Sequence, residues 1–178
     1  DNGDMLALSA TKNYAYVLKG SKLGMDNYAN TPTFDLPGPP AAGTLKRFGK
    51  RTYWLILSDG SDLVQLIDAD TMETLPPIRL DDCAASQRTS ICGSSDPSDP
   101  FVYLCGPKVR SPHAIDLRLM SDIGAFSQKT GERCWVSQDG KEFRFLTERG
   151  VRESIPLTHS SDASKPAFGR SRLISGMV

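Results

Sequence analysis

The sequence predicts an all-β fold made of about four small antiparallel sheets, and three observations lead to that prediction. First, an aromatic–x–apolar–apolar cluster returns four times, as Tyr14-Ala15-Tyr16-Val17, Tyr53-Trp54-Leu55-Ile56, Phe101-Val102-Tyr103-Leu104 and Phe143-Arg144-Phe145-Leu146. The first positions are 39, 48 and 42 residues apart, and self-similarity at about 40–50 residues marks repeated units of small sheets. Second, the apolar residues fall in short runs rich in aromatic and β-branched side chains, bounded by Gly, Pro, Asp or Ser, which is how strands are punctuated. Third, no window of a dozen residues carries a 3.6-residue period. The best helix candidate, Ser86 to Ile91, is too short to stand.

Taken in order, the strand runs are Tyr14 to Leu18, Tyr53 to Leu57, Leu63 to Ile67, Phe101 to Cys105, Cys134 to Ser137 and Phe143 to Leu146. Asp59-Gly60 and Asp139-Gly140 are turn dipeptides, because Gly takes the positive φ that tight turns need. A second column supports the repeat: Ile67-Asp68 and Ile115-Asp116 each lie 14 residues beyond their anchors, Tyr53 and Phe101. In the outer copies the agreement is upstream, where Ala7 to Lys12 resembles Trp135 to Lys141 as a strand followed by a tight turn. Asn30 to Gly43 holds Pro32, Pro37, Pro39 and Pro40 and is read as an inter-sheet loop or a partner-docking strip, since proline removes ladder donors. Ser94 to Pro100, with two Asp-Pro steps, is a turn-rich loop.

The segment Leu63 to Leu80, LVQLIDADTMETLPPIRL, resembles the outer part of a blade in YVTN-like and WD40-like β-propellers: an apolar strand ends in Ile-Asp, turns through a Thr and continues into another strand. Ser137 to Lys141 is similar to the turn joining the first two strands of such blades. The Trp-Asp and Gly-His dipeptides of WD40 repeats are absent. The resemblance implies about four antiparallel four-stranded blades forming part of a β-propeller, or a small one, with approximate blades at 4–36, 44–82, 94–125 and 126–158 and a further blade beginning at 165–178. A blade cannot cover both of its faces alone and gains stability from its neighbours. The reading adopted is part of a six- to eight-bladed ring, with remaining blades or a protein partner covering two exposed apolar faces.

Composition narrows the function classes. In 178 residues, Lys plus Arg and Asp plus Glu balance at 21 each, whereas proteins that neutralise many phosphates carry a cationic excess. General nucleic-acid binding is disfavoured, leaving only local basic clusters to serve it. The longest apolar runs, such as Trp54 to Leu57, have strand length and do not span a bilayer. The chain begins at Asp1 without a leader-like segment, which suits a processed form or an excised piece. Of the four cysteines, Cys83 and Cys92 flank a polar segment that a disulfide would close into a surface loop; the alternative is four free thiols behaving as small hydrophobes. No CxxC pair exists, and the two histidines, His113 and His159, stand apart, so no metal site is predicted.

The candidate binding residues are basic. Lys46 and Arg47 with Lys50 and Arg51 form one cluster, and Lys165 with Arg170 and Arg172 forms another; Phe48, Tyr53 and Phe168 interleave with them, the composition that grips phosphates and stacks bases. Trp54 joins them as a candidate contact, because Trp is enriched at interaction hot spots. The carboxylate pairs Asp68/Asp70, Asp81/Asp82 and Asp96/Asp99 fall where turns are expected and suit backbone capping. No Gly-x-Ser-x-Gly elbow, P-loop or dinucleotide fingerprint occurs, so neither a cofactor nor a catalytic residue is predicted. The expected function is a non-enzymatic protein-binding or assembly module. The alternatives are part of a propeller-containing hydrolase or lyase with its active site largely outside this chain, or a jelly-roll capsid or lectin domain.

Overall fold

Sixteen strands in four antiparallel sheets make up the described part of the chain in a computed structural model. It describes residues 5–8, 14–18, 33–81, 83–125, 131–147, 149–158, 167–168 and 172–173, with side chains over 33–81, 83–109, 112–125, 131–147 and 149–157. The first sheet runs β1 (Met5–Leu8), β2 (Tyr14–Leu18), β3 (Thr33–Asp35). The second runs β4 (Pro40–Phe48), β5 (Arg51–Ser58), β6 (Leu63–Asp68), β7 (Glu73–Arg79). The third runs β8 (Ser90–Gly93), β9 (Phe101–Gly106), β10 (Val109–Asp116), β11 (Ser121–Ala125). In the fourth, β12 (Arg133–Val136), β13 (Glu142–Leu146) and β14 (Arg152–Thr158) are followed by two short strands, β15 (Ala167–Phe168) and β16 (Arg172–Leu173), both paired with β14.

All four sequence anchors lie on the second strand of their sheets: Tyr16 on β2, Leu55 on β5, Tyr103 on β9 and Phe145 on β13. The sheets are arranged radially. Their first strands touch in succession, β1 to β4, β4 to β8 and β8 to β12, and so line an axis, while β7 and β11 meet at the rim. Four separate sheets rule out the two-sheet jelly roll. Among the described residues no helix is long and apolar enough to cross a membrane.

Strand alternation sorts side chains between the seams. On β5, Trp54 and Ile56 join Leu36, Ile67 and Ala69 in the seam toward the first sheet, whereas Tyr53, Leu55 and Leu57 turn toward the third. On β9, Val102 and Leu104 face the second sheet, and Phe101, Tyr103 and Cys105 face the fourth, meeting Phe143, Phe145 and Ile155. The Tyr103 and Phe143 rings lie 5.4 Å apart at 53°, a tilted geometry suited to aromatic pairs.

The Ile-Asp column has a structural cause. Asp68 stands opposite Tyr53 and Asp116 opposite Phe101 in the same register. The Asp68 carboxylate accepts the Asp70 and Thr71 backbone N–H groups at 2.9 and 3.1 Å, and Asp116 accepts that of Arg118 at 2.8 Å. Each carboxylate thus closes the turn from third to fourth strand. The Ser137–Lys141 run is the turn from β12 to β13: Gly140 has φ +71°, and Ser137 Oγ donates to Asp139 Oδ1 at 2.6 Å while accepting the Glu142 N–H at 2.9 Å.

Two expectations are corrected. The Asn30 to Gly43 segment is not all loop, because β3 lies within it and β4 starts at Pro40; a strand's first position tolerates a missing N–H donor. Nor is the outer face of the fourth sheet purely apolar: Trp135 and Leu146 share it with charged side chains. Phe143 and Phe145 are buried, but Glu142, Arg144 and Leu146 between them point the other way. There Arg144 donates to Glu142 Oε2 through Nε at 3.0 Å and Nη2 at 2.8 Å.

Candidate functional site: the axial cleft and its surroundings

The two ends of the stack differ. At one end lie the β4–β5 hairpin, the β6–β7 turn, the Ser94–Pro100 loop, the β10–β11 turn and the β12–β13 turn. They are linked by hydrogen bonds from Thr52 N–H to Asp70 Oδ2 at 3.1 Å, Gly49 N–H to the Pro97 carbonyl at 2.7 Å and Leu117 N–H to the Pro100 carbonyl at 3.0 Å. At the other end the starts of β4, β8 and β12 converge on a cleft of about 710 Å³. Its walls carry Gly43 from β4, Gln87 and Arg88 from the approach to β8 with Ser90 at its start, and Glu132 from the approach to β12 with Arg133 at its start. Arg88 and Arg133 are exposed, and neither forms an ion pair among the described residues. Two exposed guanidiniums against the one carboxylate of Glu132 leave the cleft lining net cationic, which favours a carboxylate or another anion that planar N–H donors grip in pairs.

The sequence-predicted basic residues divide. Arg47, Lys50 and Arg51 are brought together, exposed, on the β4–β5 hairpin, at the end opposite the cleft. Lys46 does not join them. It is 1% exposed and crosses the seam between the second and third sheets, where Nζ donates to the Ser94 carbonyl at 2.8 Å, Ser94 Oγ at 3.2 Å and the Asp96 carbonyl at 2.9 Å. Asp99 Oδ2 lies 4.0 Å away and accepts a hydrogen bond from the Ser94 hydroxyl. Burial pulls the Lys46 pKa down, with Asp99 and Asp96 opposing. The side chain fits because it passes over Gly93, where a Cβ would stand 3.1 Å from Lys46 Cδ. With its three protons used inside the protein, Lys46 is a tie between sheets and not a surface ligand. Trp54 is likewise withdrawn: at 1% exposure it fills the seam between the first and second sheets. Arg170 lies outside the described residues, and Arg172 is placed by its backbone in β16.

The Cys83–Cys92 pairing is also corrected. Cys83 belongs to the seam between the second and third sheets, and Cys92 to the seam between the third and fourth, so the body of the third sheet separates them. All four thiols are free; Cys92 Sγ instead lies 3.6 Å from Cys134 Sγ. Cys83 hydrogen-bonds His113, whose Nδ1 is 2.9 Å from Asp122 Oδ2. Burial opposes charge on His113, but the Asp122 and Cys83 contacts outweigh it, and its pKa is pushed up to about 10. Asp122 also accepts N–H bonds from Asp81 and Gly124, each at 2.9 Å. Burial would raise its pKa, yet His113 and these donors hold it below the ordinary value. The pair ties β10 and β11 to the chain leaving β7; it is a rim clasp. Among the described residues no set of His, Cys, Asp and Glu converges with metal-holding geometry.

Sequence reasoning missed the cleft residues. Arg88 and Arg133 are 45 positions apart and neither belongs to a charge cluster. Only superposing the approaches to successive first strands would have placed them together.

Comparison with known proteins supports the architecture. No family model matches the chain, and no curated protein matches it by sequence. Solved structures do. KlAtg21, solved in complex with the coiled coil of AgAtg16, aligns at 11% identity with a TM-score of 0.65, covering 96% of this chain and 53% of that one. The β-propeller domain of Myceliophthora thermophila Cps50 (Swd1) aligns at 10% identity and TM-score 0.64, covering 95% and 55%. Dihydro-heme d1 dehydrogenase NirN in complex with DHE aligns at 13% identity and TM-score 0.59, covering 97% and 35%. This chain therefore has the fold of part of a β-propeller, and it spans about a third to somewhat over half the length of these matched structures. Neighbours as different as a coiled-coil complex and a dehydrogenase show that the likeness is one of fold.

Proposed function

We propose that the chain is a non-enzymatic binding module of β-propeller type whose axial cleft takes an acidic segment of a protein partner, with further sheets completing the ring. One observation carries the reading: Arg88 and Arg133 line a common cleft against the single carboxylate of Glu132, and neither forms an ion pair among the described residues, so the lining is net cationic. A protein is favoured over a nucleic acid because the chain has no net charge and no aromatic ring lines the cleft to stack a base. A partner protein is named for one matched structure, KlAtg21, and part-ring coverage of the neighbours supports completion by further blades.

The test is fluorescence anisotropy with a labelled oligoglutamate peptide and, in parallel, a labelled oligouridylate. Oligoglutamate should bind the parent chain, and the double variant Arg88→Glu/Arg133→Glu should lose at least tenfold in affinity. The triple variant Arg47→Glu/Lys50→Glu/Arg51→Glu should bind like the parent. Preferential binding of oligouridylate, lost in the hairpin variant and kept in the cleft variant, would overturn the reading.

A further inference from the structure

Three cysteines gather where the innermost strands of the third and fourth sheets meet. Cys92 on β8, Cys105 on β9 and Cys134 on β12 share one cluster, with the sulfurs of Cys92 and Cys134 in contact at 3.6 Å. We propose that Cys92 and Cys134 are a site of reversible covalent modification, closed by a small-molecule disulfide into a cross-link that locks the third sheet to the fourth.

The backbones are already held for it. Ser90 Oγ donates to the Cys134 carbonyl at 3.1 Å, and Cys134 Sγ donates to the Ser90 carbonyl at 3.6 Å, so the two strands present their thiols to each other from fixed positions. Closing the sulfurs to about 2.05 Å requires only about 1.5 Å of approach, which side-chain torsion can supply. Of the three residues Cys92 is the one partly exposed, while Cys105 and Cys134 are buried; the hydrogen bond to Cys134, together with burial, pushes the Cys92 thiol up, so its attack quickens with rising pH. The first step therefore falls to Cys92. Its thiolate attacks one sulfur of the reagent, the reagent's S–S bond breaks, and the departing thiolate takes up the proton Cys92 released. Cys134 then attacks Cys92 Sγ in the mixed disulfide and expels the second reagent thiol, which takes the Cys134 proton. Two protein thiols are oxidised to one disulfide, and one small disulfide is reduced to two thiols. Burial opposes ionisation of Cys134, but hydrogen bonds from Cys105 and Ser90 as well as Cys92 favour its thiolate, which suits it to the second attack.

The chain is equilibrated with oxidised and reduced glutathione at varied ratio and followed by intact mass, peptide mapping and thermal melting. The expected result is loss of two hydrogens, a linked peptide joining Cys92 to Cys134, and a melting temperature higher by about 5–10 °C, reversed by a thiol reductant. Cys92→Ser and Cys134→Ser should each abolish the cross-link, whereas Cys83→Ser and Cys105→Ser keep it. A stable glutathione adduct without cross-linking, a Cys105–Cys134 linked peptide, or no mass change in the parent chain would overturn the proposal.

Discussion

Strands β9 and β13 occupy the same place in neighbouring sheets and are built on different rules. All six residues of β9 are buried, because both of its faces meet another sheet. In β13 only Phe143 and Phe145 are buried, and the opposite face carries the Glu142–Arg144 ion pair. A strand covered on both sides reads as a continuous apolar run, whereas one covered on a single side alternates. The number of neighbouring sheets each strand meets is thus written into its alternation, and the outer face of β13 mixes Leu146 with the Glu142–Arg144 pair. Substitution should expose the asymmetry. Tyr103→Ala and Leu104→Ala, consecutive residues on opposite faces of β9, should each cost about 2–5 kcal/mol in urea unfolding. On β13, Phe143→Ala should cost about 3–5 kcal/mol and Arg144→Ala less than about 1 kcal/mol. A large loss at Arg144 would mean that its face is as closely packed as those of β9.

The two well-described seams differ in how they are fastened. The seam between the third and fourth sheets holds rings and thiols. That between the second and third is aliphatic but pinned by buried charge at two places, by Lys46 near the axis and by His113 with Asp122 at the rim. Removing Lys46 strips donors from two carbonyls and takes its ammonium away from Asp99, 3% exposed. Lys46→Ala should therefore cost about 2–4 kcal/mol. Lys46→Met, which keeps the stem over Gly93, should cost less. Equal losses would place the cost wholly in the ammonium contacts.

The rim clasp gives the seam a pH signature. With the His113 pKa raised from its ordinary 6.5 to about 10, the stability it adds is complete below about pH 6.5 and lost as pH climbs toward 10. Asp122, held low, adds stability that is lost only in acid, as pH falls through its folded pKa. The urea midpoint of the parent chain should fall between pH 6.5 and 10 by the equivalent of about 1–3 kcal/mol. His113→Asn should flatten that slope. A slope unchanged in the variant would assign the alkaline loss to other groups.

These contrasts also explain what could be read in advance. The anchors and the Ile-Asp column were legible because they encode local rules: period-two burial for the former and a carboxylate closing a turn for the latter. Strand β7 was anticipated only through the blade resemblance and β10 only through its Ile-Asp end, because Pro76-Pro77 and Pro112 interrupt their runs; the sheets accommodate these prolines at irregularities in the pairing register. Lys46 reads as a solvated charge beside Arg47. Its burial depends on Gly93 and the Ser94–Asp96 carbonyls, nearly fifty residues away. Cys83 and Cys92 look like partners along the chain, but the third sheet passes between them. The cleft arginines come from different sheets, so only the radial stacking unites them.

A last column of the repeat emerges only from backbone geometry. Met72 and Met120 both stand 19 residues after their anchors and four after the capping Asp, and both have positive φ, 63° and 50°. In the second sheet the Met72 N–H returns to the Asp68 carbonyl at 2.7 Å, so the left-handed residue closes the turn that Asp68 begins. A side chain with a Cβ pays for that conformation, and glycine does not. Met120→Gly should stabilise the chain by up to about 1 kcal/mol, as a higher urea midpoint, whereas Met72→Gly should gain less, because Met72 packs against the Trp54 seam. Met120 is 39% exposed, so its replacement sacrifices little packing and gives the cleaner reading of backbone strain. A loss at Met120 would show that its positive φ carries no strain for glycine to relieve.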